Sequence, residues 1–143
     1  MEHHLTTYIT HDTLISALGF GTQENLEAIR SYHSGITLQT DKRMADTPLL
    51  AATLSQDRLQ QQAEAIGVSG YPRMEQLFIL TINELIRQSG QTLEDKTCGL
   101  ILSTTKGNID LLARHTEHAD EAVFLWKMAE NISGYFHAEE RMH

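Results

Sequence analysis

Thr97-Cys98-Gly99-Leu100-Ile101-Leu102-Ser103-Thr104-Thr105-Lys106-Gly107-Asn108-Ile109-Asp110 is the stretch on which the reading of this chain turns. Small and apolar residues run into a cluster of hydroxyls, then a glycine, then a helical pattern. A short apolar run bounded by turn residues predicts a strand buried on both faces. Ser103, Thr104 and Thr105 then stand where that strand leaves the sheet. Open α/β sheets bind ligands near the carboxyl ends of their strands, so this end is the expected functional one.

Upstream, the helix predicted from Pro72 to Gln88 has the clearest pattern. Met74, Leu77, Phe78, Thr81, Ile82, Leu85 and Ile86 form a wide apolar stripe, and Ser89-Gly90 ends it. Before it, Leu59, Ala63 and Ile66 predict a helix entered at Ser55, and Leu49 to Thr53 a strand leading into it. Ile36-Thr37-Leu38 alternates as a strand does. Thr22 is a candidate N-cap for a helix carrying Leu26, Ile29 and His33, ended by Ser34-Gly35. At the start, Thr6 to Thr10 and Leu14-Ile15-Ser16 predict a hairpin turning at His11-Asp12. Downstream, a short helix is expected from Asn108 to His115. A second, from about Asp120 to Ser133, carries Val123, Phe124, Trp126, Met128, Ala129 and Ile132. An alternating chain of this kind normally runs from such a helix into another strand. None follows, so the reading is of an incomplete sheet.

The 143 residues fit one domain, and 41% apolar with 21% charged residues fit a globular core. A net charge of −8 argues against nucleic-acid binding, which needs clustered Lys and Arg. No apolar run reaches the length of a membrane span, and Met1 to Leu5 lacks a signal-peptide core. The single cysteine rules out an internal disulfide. A cytoplasmic setting is the simplest expectation.

The chemical motifs are sparse. Cys98 begins the predicted strand, the wrong end for a nucleophile at its carboxyl end, and reads as a small core residue. His115 and His118 could share a helical face, but zinc needs three or four ligands and no third follows. His3 and His4 read as a terminal feature. Ser103 to Gly107 joins a strand to a helix as phosphate loops do, yet lacks the G-x-x-x-x-G-K-[ST] pattern. An ordinary turn capped by hydroxyls accounts for it. No G-x-S-x-G elbow or H-E-x-x-H motif is present, and nothing pairs two of the many carboxylates as acid and base.

Taken in order, several stretches resemble the β-ketoacyl synthases of the thiolase-like superfamily. Tyr8-Ile9-Thr10 with Leu14 to Gly19 is similar to the family's opening hairpin. Leu26 to Arg30 with His33-Ser34-Gly35-Ile36 resembles its first helix and the signature after it. Cys98 to Asn108 is similar to its third core strand, and Val123 to Phe136 to the helix ahead of its nucleophile strand. The chain departs at the hairpin turn and at Ser103 to Lys106, where the family carries glycines.

The resemblance implies an α/β fold: the N-terminal part of a thiolase-like fold, residues 1–143, a mixed sheet packed with helices and incomplete. It implies a parent that condenses acyl thioesters with malonyl-acyl carrier protein, in fatty-acid or polyketide-type synthesis, with acyl carrier protein as partner and a homo- or heterodimeric assembly. No cofactor or metal is implied. The family's nucleophilic cysteine would lie just beyond His143 and its two histidines further on. None of His3, His4, His11, His33, His115, His118, His137 or His143 matches them, so no catalytic residue is carried over and this stretch alone is expected to be inactive. Thr105 and Lys106 fall where the family lines its acyl pocket. A lysine in an apolar tunnel carries a heavy desolvation cost, so either its head reaches solvent or the parent does not take a long saturated chain. A non-catalytic companion subunit and an unrelated small α/β binding domain are the alternatives.

Overall fold

The computed structural model describes residues 6–93, 97–114 and 121–136. It opens on a two-residue hairpin, β1 (Ile15–Ser16) against β2 (Gly19–Phe20), antiparallel. The turn therefore falls at Ala17-Leu18 and not at His11-Asp12. Ser16 sets it, its Oγ accepting from Leu18 N at 3.0 Å. Thr6 to Thr10 forms no strand, and Tyr8 and Ile9 are exposed. Strand-favouring residues make a strand only with a partner backbone beside them.

Helix α1 (Thr22–Arg30) follows, with Gly21 rather than Thr22 at the N-cap. Thr22 Oγ1 donates instead to Asp12 Oδ2, 2.7 Å away. The helix ends earlier than Ser34-Gly35, because Tyr32 takes the left-handed backbone position (φ 57°) usual for a terminal glycine. Its apolar residues do not face a core: Leu26 and Ile29 are exposed, and Asn25 is the residue buried. Asn25 Nδ2 donates to the carbonyls of Gly21 (2.7 Å) and Gly19 (3.0 Å), and its Oδ1 accepts from Ser16 Oγ. One amide thus pins the hairpin to the helix. Removing it strands buried carbonyls, so Asn25→Ala is expected to cost about 2 kcal/mol in urea unfolding. A loss below about 0.5 kcal/mol, the usual scale for surface sites, would mean that the hairpin is held otherwise.

Strands β3 (Ile36–Gln39) and β4 (Leu49–Ala52) pair antiparallel, Ile36 opposite Ala52 and Gln39 opposite Leu49. Ser55 then caps α2 (Gln56–Ala65), its side chain accepting from Arg58 N. Helix α3 (Arg73–Ser89) has Pro72 as its N-cap, one position outside the helix, and Gly90 at φ 68° closes it. A 3-10 helix at Ile109–Arg114 and another at Glu121–Val123 lead to α4 (Leu125–Tyr135). Helix α4 runs through Gly134, past the end predicted at Ser133.

The core is helical. Ala63 of α2, Val68 of the following loop, Ile79 and Ile82 of α3, and Met128 and Ile132 of α4 form the buried cluster. Tyr135 closes one side of it, edge-on to both Tyr71 (6.1 Å) and Phe136 (4.8 Å). The first hairpin and α1 hang on α2 through Glu24. Its carboxylate takes Arg58 Nη1 (2.9 Å) and Nη2 (3.0 Å) and also Phe20 N (3.0 Å), which hold it below the usual carboxylate range. On the outer side of α4, Phe124 and Trp126 stack at 6.4 Å, both exposed.

The architecture is mixed α/β, with four α-helices and two small antiparallel sheets among the described residues. It corrects the central expectation. Gly99 to Leu102 belongs to neither sheet, and Ile101 is 94% exposed while Leu100 and Leu102 lean on the helical core. The segment is therefore covered on one face only. Cys98 is half-buried and in no disulfide, not a core residue. No helix among the described residues is long and apolar enough to cross a membrane. His3, His4, His115, His118, His137 and His143 lie outside the described residues.

Candidate functional site

The turn after Leu102 borders a wide concavity. Thr104 Oγ1 accepts from the backbone N–H of Lys106 (3.3 Å) and Gly107 (3.1 Å), which folds the chain back at that point. Hydroxyl capping of an ordinary turn is thus what this stretch does. Gly107 sits at φ 54°, in the left-handed region, and a Cβ there would stand 2.6 Å from Leu125 Cδ2. That Cδ2 is the far end of a half-exposed side chain and can move, so the backbone conformation is the larger obstacle. Gly107→Ala is expected to lower stability by about 1–2 kcal/mol, measured by thermal or urea unfolding.

The cleft has a volume of 710 Å³ and lies between the β3–β4 hairpin, the start of α3 and the Lys106 turn. Met44, Leu54, Met74, Leu77 and Ile109 supply its apolar surface. Arg73, Lys106, Asp41 and Asp110 supply its charge. Asp41 is already engaged: Arg43 Nε and Nη2 donate to it at 3.0 and 2.6 Å, which pulls its carboxyl down to about 2. Arg73 and Lys106 form no ion pair among the described residues. Of the two predicted pocket-wall residues, Lys106 lines the cleft and Thr105 does not; Thr105 is exposed on the turn.

Behind the cleft lies a buried polar cluster. Glu75, two residues after Arg73, is fully buried on the core side of α3. Asn108 Nδ2 donates to its Oε1 at 2.7 Å and to Ala122 O at 2.9 Å. Asn131 Nδ2 of α4 reaches Glu75 Oε1 at 3.2 Å and Oε2 at 3.3 Å. Burial raises the Glu75 carboxyl above its ordinary range, against the lowering by these two amides and by the Lys127 charge. Lys127 is itself paired with Glu130 at 2.7 Å. Asn108 Oδ1 and Ser133 Oγ are buried with no hydrogen-bond partner among the described residues. The cluster ties α3, the Lys106 turn and α4 together, so it fixes one wall of the cleft against the other.

Arg73, Glu75, Asn108 and Asn131 were not singled out by the sequence, although a signal for Glu75 was present. Glu75, Ile79, Ile82 and Ile86 follow the 3.6-residue period of one helix face, which puts a carboxylate on the buried stripe. Nothing in the local pattern marks Arg73 or the two asparagines.

His11 and His33 are exposed and outside the cleft lining. No group of three His, Cys, Asp or Glu capable of holding a metal occurs among the described residues. A smaller cavity of 230 Å³ beside Ile15, Phe20 and Ile66 carries Arg87, which Glu84 already pairs at 2.7 Å. No protein-family model, curated protein or solved structure matches the chain.

Proposed function

We propose that this chain is the N-terminal part of a β-ketoacyl-synthase-like protein of thiolase-type fold. Its parent would condense an acyl thioester with malonyl-acyl carrier protein, releasing carbon dioxide and a 3-ketoacyl thioester. In that reaction a cysteine outside these residues would hold the acyl group as a thioester. The malonyl carboxylate leaves as carbon dioxide, and the resulting carbanion attacks the acyl carbonyl and expels the cysteine thiolate. The part assigned to the present residues is one wall of the acyl site.

The observation that supports this reading is the cleft. The turn singled out by the family resemblance borders a largely apolar concavity of 710 Å³, within the span of about 300–1,000 Å³ usual for small-molecule sites. The one-sided Gly99–Leu102 segment and the exposed apolar faces of α1 and β3–β4 agree with it, since they are surfaces a further layer would cover.

The test is to read the coding sequence onward from His143 and to assay the whole product for carbon dioxide release from malonyl-acyl carrier protein in the presence of an acyl thioester. A strand ending in a small residue and cysteine, together with 3-ketoacyl product, is the expected result. Another residue at that cysteine and no product would point to a companion subunit. Acylation of Cys98 itself would overturn the assignment of the chemistry to residues outside this chain.

A further inference from the structure

We propose that the cleft takes an amphipathic ligand whose apolar body lies along Met44, Leu54, Met74, Leu77 and Ile109 and whose free carboxylate is held by Arg73 and Lys106. The inference rests on the reading of the cleft as an acyl site and adds the charge carried at the end of the chain that fills it.

The chain carries −8 overall, with 11 basic residues against 19 acidic. Four of its basic side chains, Arg43, Arg58, Arg87 and Lys127, are spent on ion pairs with their own neighbours. Arg73 and Lys106 form none among the described residues, and both line the same apolar cleft. Of the two acids there, Asp41 is committed to Arg43. With Asp41 neutralised by Arg43 from outside the lining, Asp110 is the acid left among the described lining residues to offset two cations, and the balance is positive by one. A single carboxylate balances it. A guanidinium and an ammonium together suit a carboxylate, the first through its paired N–H groups and the second as a point charge.

Position supports the same conclusion. Arg73 lies two residues before Glu75, and Lys106 two residues before Asn108. The 2.7 Å bond from Asn108 to Glu75 sets these two stretches against each other. Gln76 holds the start of α3 from the other side, donating to Tyr71 O at 2.7 Å. The two cations therefore stand on supports fixed by buried hydrogen bonds and not on a free loop. Arg73 and Lys106 are both exposed, so a drying cost arises only when a ligand covers them, and a carboxylate paired there offsets it.

The test is titration of the 143-residue chain, ¹⁵N-labelled, with decanoate and with 1-decanol at pH 7.5, below the concentration at which either aggregates. Decanoate is expected to bind at least about tenfold more tightly and to shift the amides of the Arg73 and Lys106 segments. Arg73→Met and Lys106→Met should each bring the ratio of decanoate to decanol affinity down toward one; a ratio unmoved by either change would overturn the assignment of the carboxylate to these two cations. The dispersion of the variants' spectra shows directly whether they have folded. Equal binding of decanol and decanoate would overturn the carboxylate assignment and leave the acyl site standing. Binding of neither would overturn both this proposal and the use of the cleft as an acyl site, whereas the carbon dioxide assay judges the synthase reading independently.

Discussion

Glu75→Ala is expected to cost the chain about 3 kcal/mol, measured as the loss in unfolding free energy in urea. The substitution removes a fully buried side chain and the acceptor of both Asn108 Nδ2 and Asn131 Nδ2. Each buried donor left without its partner costs about 1–3 kcal/mol, and the vacated volume adds a cavity contribution. Asn108 keeps Ala122 O as a second acceptor, which limits the loss on that side. Glu75→Gln behaves in the opposite direction, because it keeps a carbonyl for Asn108 and removes a charge from the interior.

The pH dependence follows from the sign of the shift. The folded carboxyl is raised above its ordinary range by burial. Its contribution to stability is therefore fully present below the unfolded value of about 4.3 and is lost as pH rises through the folded value. The carboxylates of half-buried Glu84 and exposed Asp41, both lowered to about 2 by their arginines, work in the reverse sense. Subtracting the two unfolding curves, wild type from Glu75→Gln, cancels that background. The difference is expected to be small near pH 4 and to grow in favour of Gln toward pH 7. A difference that is flat across this range would show that the Glu75 carboxyl is not raised.

Ile79→Ala carries the second large effect. Ile79 is fully buried at the centre of the helical cluster, among Ala63, Val68, Ile82, Met128 and Ile132. Deleting three methyl or methylene carbons there costs about 3–4 kcal/mol, a large share of the roughly 5–15 kcal/mol that holds a typical domain together. The variant should lose cooperative unfolding and bind a hydrophobic dye. Leu50→Ser is the matched control: Leu50 is 71% exposed on β4, so its change stays within about 0.5 kcal/mol. If Leu50→Ser proved the more costly of the two in the isolated chain, the helical cluster would not be the source of its stability.

The parts of the fold readable in advance were those whose cause is local. Helix α3 announces itself by its apolar stripe and its terminal Gly90, α2 by Ser55, and β3 by alternation. The parts that were not readable depend on partners distant in sequence. Leu100-Ile101-Leu102 has the composition of a buried strand, but a strand needs a neighbouring backbone and no strand of either sheet lies beside it. Leu26 and Ile29 have helical spacing, yet spacing does not reveal whether anything stands opposite. The same holds for the site. Lys106 was found because its turn was conspicuous. Arg73 and the two asparagines became relevant only when the chain brought residues 73–75, 106–108 and 131 together.

Trp126 gives the molecule one practical asymmetry. It is the only tryptophan, and it lies 57% exposed on Phe124 at the outer start of α4, with Lys127 Nζ 5.8 Å from its ring. Indole emission from this chain therefore reports the skin of one helix, while circular dichroism reports the helices themselves. Should the emission turn blue under conditions that leave the dichroism unchanged, a second molecule has settled on that skin.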